Sequence, residues 1–152
     1  MKDKTQMQVN AIENGTVIDH IPARNLFKVI SILGLDRSDL PVTFGTNMFS
    51  AKLGKKAIIK ISDVILDNDE INKIALVAPQ AKINIIRGYE VQEKKVVKVP
   101  DVIVGIAKCF NPKCITNNEK VTTKFSVIKG NPIALKCQYC EKITDEEDFV
   151  IC

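Results

Sequence analysis

CFNPKC at residues 109–114 and CQYC at residues 137–140 decide how the last third of this chain folds. The two cysteine pairs, Cys109-x4-Cys114 and Cys137-x2-Cys140, are separated by twenty-two residues. Zinc prefers four thiolates in a tetrahedron, and two short loops that each offer a pair can close such a cage without a preformed core. The fifty-odd residues around them bury too little apolar surface to fold unaided, so bound metal becomes part of their folding free energy, on the order of 10 kcal/mol in peptide models. With all four positions filled by protein, the spacing predicts a structural Zn2+ with no open site for water or substrate. Two disulfides would suit a secreted chain, but residues 1–10 are polar and lack an apolar signal core, which predicts a cytoplasmic protein with reduced thiols. Cys152 stands apart and reads as a free thiol.

Working back from the cysteines, QEKKVVKVPD at residues 92–101 reads as a last strand running into a linker, which divides the chain into 1–100 and 101–152. Charge is uneven across that boundary. Residues 1–100 hold fifteen Lys/Arg against eleven Asp/Glu, and residues 101–152 hold seven of each. Four thiolates around one zinc ion take the second segment to about −2. A segment of that sign, ending in Asp145-Glu146-Glu147-Asp148, is a poor binder of phosphate backbone, so a protein partner fits it better than nucleic acid. A zinc-ribbon nucleic-acid-binding factor stays open as the alternative, with a salt-sensitive gel shift as its test. No run is long enough to span a membrane.

In the first hundred residues, strand-like and helix-like stretches alternate. Gln8–Ile12 and Thr16–His20 flank Asn14-Gly15 and predict a hairpin. Pro22 opens a helix carrying Leu26, Phe27, Ile30 and Leu33, stopped by Gly34. Val42–Met48 and Lys56–Ser62 predict two strands. A second helix starts at Asp67, with Glu70 as the capping-box partner and Ile71, Ile74, Ala75 and Ala78 on one face, and Pro79 closes it. Lys82–Ile86 and Tyr89–Val97 supply the last strands. The order predicts an α+β domain, a largely antiparallel sheet with both helices on one face in a ferredoxin-like arrangement, followed by a small β-rich zinc-ribbon-like domain.

Strand parity then separates two faces. Ile18, Ala57, Ile59, Ile61, Ile83 and Ile85 form a wholly apolar set for burial under the helices. The opposite set is Val17, Asp19, Ile58, Lys60, Asn84 and Ile86, aliphatic residues alternating with a carboxylate, an amine and an amide. Such a face is either solvated or holds a ligand, and its chemistry suits a nucleotide: aliphatics sandwich a base, a carboxylate accepts from ribose, an amide reads a base edge and amines pair with phosphates. Lys56, Lys94 and Lys95 are candidate phosphate partners. His20, the single histidine, is an added donor if its ring lies beside them, although adjacency in a regular strand points Asp19 and His20 to opposite faces. There is no Gly-rich phosphate loop, no nucleophile motif and no open metal site, which argues against an enzyme.

Four stretches, NGTVIDHIPA, KAIIKI, LVAPQAKINII and the CFNPKC/KCQYCE pairs, together resemble, in order and at compatible spacing, the regulatory chain of aspartate carbamoyltransferase. The resemblance implies a non-catalytic subunit in pyrimidine biosynthesis. Its N-terminal domain pairs with a second copy and binds CTP or ATP as allosteric effectors, and its zinc domain grips the catalytic chain, where carbamoyl transfer occurs. It further implies an effector pocket of Val9, Ala11, Ile12, Val17, Asp19, His20, Lys56, Ile58, Lys60, Asn84, Ile86, Tyr89, Val91 and Lys94. In that pocket Asp19 meets the ribose, Lys60 and backbone near Ile12 and Tyr89 meet the base, and His20 and Lys94 meet the triphosphate. Asn111, Glu141 and Lys142 are implied contacts with the catalytic chain. Gln6 stands where members of the family often carry a basic residue near the phosphates, with Lys4 beside it.

Overall fold

The computed structural model describes residues 12–130 and 132–151. The expected strand over Gln8–Ile12 therefore falls, apart from Ile12, outside the described residues, as do Val9, Ala11, Lys4, Gln6 and Cys152. The chain divides into two compact units, the second beginning at Val99.

The first unit is built on a five-stranded antiparallel sheet of β1 (Gly15–Pro22), β2 (Val42–Ser50), β3 (Gly54–Ser62), β4 (Lys82–Arg87) and β5 (Glu90–Val96), in the order β2-β3-β1-β4-β5. Helix α1 (Leu26–Ile32) connects β1 to β2, and α2 (Asn68–Lys73) connects β3 to β4. The order follows from the sequence pattern: each helix carries the chain over one strand, so the hairpin β2-β3 and strand β4 come to flank β1. Ile18, Ala57, Ile59, Ile61, Ile83 and Ile85 are all buried, as their shared parity predicts. The residues in and just after the helical segments that join this core include Leu26, Val29, Ile71, Ile74, Ala75, Leu76 and Ala78.

Two local expectations shift. In α1 the buried face is Leu26 and Val29, whereas Phe27 is 68 % exposed. The three residues before α1, Ala23–Asn25, form a tighter 3-10 turn, and this rotates the helix relative to a count begun at Pro22. The Asn25 side chain is buried and donates to the Val77 carbonyl (2.8 Å), tying the start of one helical segment to the end of the other. Gly15, expected in a hairpin turn, is instead the first residue of β1, paired with Ser62 and Ile86. Its φ is +144°, and a Cβ there would collide with the Ile61 carbonyl oxygen. The second helix starts as predicted, with the Asp67 carboxylate accepting from Glu70 N–H (2.8 Å).

Among the described residues, bulges interrupt the ladder at three places. Asp19 and His20 together face Ile58, because Ile18 pairs with Ile59 and Ile21 with Ala57. Thr46 and Asn47 of β2 face Ala57 from the other side of β3. Gln92 of β5 is the extra residue in the third. His20 and Asn47 both take positive φ, 60° and 59°.

The second unit holds a four-stranded antiparallel sheet in the order β10-β9-β8-β6, made from β6 (Val102–Val104), β8 (Lys124–Ile128), β9 (Ala134–Cys137) and β10 (Ile143–Asp145). A two-stranded piece joins β7 (Ala107–Lys108) to β11 (Val150–Ile151), and one turn of helix, α3 (Ile115–Asn118), follows Cys114. Ile103, Phe125, Ile133, Leu135 and Phe149 make its small core, completed by the cysteines.

Candidate functional site

The cysteine site is set by two knuckles. In the first, Cys114 N–H donates to Asn111 O (3.0 Å), and the Asn117 amide donates to both Cys109 O (2.9 Å) and Asn111 O (2.8 Å). In the second, Glu141 N–H donates to Cys137 O and Cys137 N–H to Lys142 O, at 2.9 and 3.0 Å. These loops bring four sulfurs within 4.8 Å of one another. Cys109 and Cys140 lie 3.6 Å apart and Cys114 and Cys137 3.7 Å, and Thr116 Oγ1 donates to Cys114 Sγ at 3.2 Å. A tetrahedron with metal–sulfur bonds of about 2.3 Å has sulfur–sulfur edges of about 3.8 Å, so this cage fits zinc and is too wide for an S–S bond of about 2 Å. Burial pushes the Cys109 thiol up to about 12. Burial acts on Cys140 in the same direction, but hydrogen bonds from the Lys142 backbone, the Asn111 side chain and the neighbouring thiols outweigh it and bring Cys140 down to about 7.

Around the cage, Glu141 and Lys142 are exposed, while Asn111 is half-buried and its Oδ1 accepts from Lys113 N–H (3.1 Å). Phe110 and Tyr139, 61 % and 49 % exposed, flank the cysteines. Sequence reasoning passed over both, although an aromatic beside a metal cysteine has little core to enter. Glu141 has φ 64°, a conformation that costs a residue with a Cβ.

On the first unit, the strand registers align the mixed face in rows. Lys60, Val17, Asn84 and Lys94 stand side by side across β3, β1, β4 and β5. The next row is Ser62, Gly15, Ile86 and Val91. Gly15 leaves the middle of that row without a side chain, and Ile12 Cδ1 lies over the space. Val17 and Ile86 are nearly buried, and Asp19, Ile58, Lys60 and Asn84 are half-buried. Burial lowers the Lys60 amine below the usual lysine range.

The bulge overturns the expectation that Asp19 and His20 point apart. The Asp19 carboxylate accepts from His20 N–H (2.7 Å), lies 3.6 Å from His20 Nδ1, and is gripped by Lys56 Nζ at 2.9 and 3.2 Å. His20 Nδ1 is buried and makes no hydrogen bond among the described residues. Burial lowers the His20 pKa; Asp19 opposes this, and Lys56, Lys82 and Lys52 reinforce it. The last two were missed from sequence: Lys82 shares the parity of Asn84 and was legible, whereas Lys52 lies in the β2–β3 turn, where parity has no meaning. Lys95 goes the other way, its amine bonded to Asn68 Oδ1 (3.2 Å) and 3.9 Å from Glu93 on the helix side of the sheet. Tyr89 is 66 % exposed in the β4–β5 turn with φ 65°.

Residues 7–98 match the family described as "Aspartate carbamoyltransferase regulatory chain, allosteric domain", and residues 101–150 match "Aspartate carbamoyltransferase regulatory chain, metal binding domain". A protein of Bacteroides fragilis named aspartate carbamoyltransferase regulatory chain is 53 % identical over 150 residues, covering 99 % of this chain and 98 % of its own. One of the same name from Pyrococcus horikoshii is 53 % identical over 147 residues, covering 95 % and 97 %. One from Parabacteroides distasonis is 51 % identical over 148 residues, covering 97 % and 96 %.

Proposed function

Since the chain belongs to the aspartate carbamoyltransferase regulatory-chain family, a family of non-catalytic subunits, we propose that its first unit binds CTP or ATP and its second, loaded with zinc, holds the catalytic chain. The observation that carries the nucleotide reading is the division of the mixed face into two chemistries. At one end Val17, Ile86 and Val91 offer apolar surface beside Lys60 and Asn84, a slot for a base with a donor and an amide at its edge. At the other end, about 10 Å along β1, His20 stands among Lys52, Lys56 and Lys82, a cluster suited to phosphate, while Lys94 starts from the base-end row beside Asn84, and its long side chain is the part that would reach towards phosphate. Asp19, held by Lys56, keeps acceptor capacity for a ribose hydroxyl.

Cys109, Cys114, Cys137 and Cys140 would hold one zinc ion, which supplies folding free energy to the second unit and takes no part in chemistry. The knuckles present Phe110, Tyr139, Glu141 and Lys142 to the catalytic chain, with Asn111 bracing them. A second copy of the chain pairs with the first unit; the exposed edge strand β2, with Phe44 and Phe49 open and Phe27 packed edge-on to Phe44 at 6.1 Å between centroids, suits that contact. Nucleotide binding adjusts the catalytic chain by linkage, a coupling of about 1–3 kcal/mol that arises only where the nucleotide binds one quaternary state better than another.

The test mixes the zinc-loaded chain with catalytic trimers, sizes the product and measures aspartate saturation with and without CTP and ATP. A larger complex whose aspartate response moves with nucleotide is the expected result. A complex indifferent to both nucleotides would remove the effector reading, and absence of a complex would remove the zinc-unit reading.

A further inference from the structure

The turn between β4 and β5 has two residues, Gly88 and Tyr89, both with positive φ, at 59° and 65°. That pair of conformations belongs to the tight hairpin turns that favour asparagine and glycine. Glycine meets the demand at Gly88, but Tyr89 carries a Cβ and an aromatic ring into a strained region, which persists only where its surroundings fix it. What fixes it lies at the entry to β1. Tyr89 N–H donates to Glu13 O (2.9 Å), and Gly88 N–H donates to Asn14 Oδ1 (3.2 Å). In a free turn of this kind those N–H groups face water. Here two consecutive residues of one segment take both.

Asn14 also reaches the other side of the base slot. Its backbone carbonyl accepts from Asp63 N–H (3.0 Å), the residue that follows the last residue of β3, the strand bearing Lys60. One residue thus ties the end of β3 to the Tyr89 turn, using its main chain for one and its side chain for the other. Since Asn14 is itself exposed, its side chain fills no core space, so loss of the side chain opens no cavity.

Building on the nucleotide reading above, we infer that Asn14 is a positioning residue for the base end of that site. Its side chain sets the spacing between the Tyr89 backbone and Lys60, the groups that read the base edge, and leaves the phosphate end around His20 untouched.

The test titrates the full zinc-loaded chain, as wild type, Asn14→Ala and Asn14→Asp, with CTP, cytidine and inorganic tripolyphosphate by calorimetry, and records the thermal midpoint of each. Loss of one hydrogen bond that orders the slot is expected to weaken CTP and cytidine alike by about five-fold in Asn14→Ala. Tripolyphosphate affinity and the thermal midpoint stay where they were, and Asn14→Asp, which keeps an acceptor oxygen, recovers cytidine affinity to within about two-fold of wild type. Equal cytidine affinity in Asn14→Ala and wild type would overturn the role of Asn14 and leave the nucleotide reading standing. Proportional loss of tripolyphosphate would mean general loosening, and would overturn it as well. A wild-type chain that binds none of the three probes overturns the nucleotide reading itself.

Discussion

In the first unit, five isoleucines on three adjacent strands, Ile18, Ile59, Ile61, Ile83 and Ile85, are closed off from solvent by helical residues that include Leu26, Val29, Ile71 and Ile74. In the second, Ile103, Phe125 and Leu135 do the same for a much smaller core, and four sulfurs occupy the place where further apolar side chains would stand. A sheet held by its own core can leave its other face for a ligand that comes and goes. A unit closed around a cysteine cage has no such spare face, and on the reading proposed above its use is to present fixed loops.

The largest way to break that contrast is to remove a ligand of the cage. Cys114→Ser should unfold the second unit and abolish association with catalytic trimers, because it forfeits much of a metal contribution on the order of 10 kcal/mol. Amide exchange in β1, β3 and β4 should be unchanged, and parallel loss of protection in both units would show that they do not fold separately. Next in size is Ile59→Ala at the centre of the sheet. It should cost about 2–5 kcal/mol in the first unit, read as a lowered denaturant midpoint, while the zinc content measured by a chromophoric chelator stays at one per chain.

A smaller effect separates the two ends of the mixed face. The folded chain lowers the His20 pKa, and on the nucleotide reading a bound triphosphate would raise it. Between the lowered free value and the raised bound value, binding takes up a proton, so CTP affinity should strengthen as pH falls through the range around 6.5 and level off below the free value. In His20→Gln the profile should be flatter. The same lowered pKa acts on folding with the opposite sign. The unfolded chain binds the proton first, so the His20 contribution is complete above about pH 6.5 and is lost as pH falls towards the folded value. The smallest effect is Glu141→Gly, which should relieve a left-handed backbone worth about 1 kcal/mol and raise the thermal midpoint slightly, yet weaken the hold on catalytic trimers. Unchanged association would take Glu141 out of the contact.

Much of this was legible because it rests on period and spacing. Parity alone selected the buried isoleucines and the mixed face, and the cysteine spacing selected the cage. Parity fails where the ladder gains a residue, and nothing local in Ile18-Asp19-His20-Ile21 announces that it does; the bulge follows from pairing with Ile59 and Ala57, far off in the sequence. The face of α1 was misjudged for a similar reason, since a 3-10 turn at Ala23–Asn25 resets the helical count. Lys52 acts on His20 from a turn, through space and not through sequence pattern.

The bulge in β1 has a genetic meaning. A regular strand offers one side chain per face for every two residues, and here two consecutive residues, Asp19 and His20, stand side by side. Loss of a single codon at either position would restore an unbroken ladder with Ile18 and Ile21 still in the core. On the nucleotide reading proposed above, ligand response at this sheet would be one in-frame deletion away from disappearing in a protein that keeps its isoleucine core and its cysteine cage.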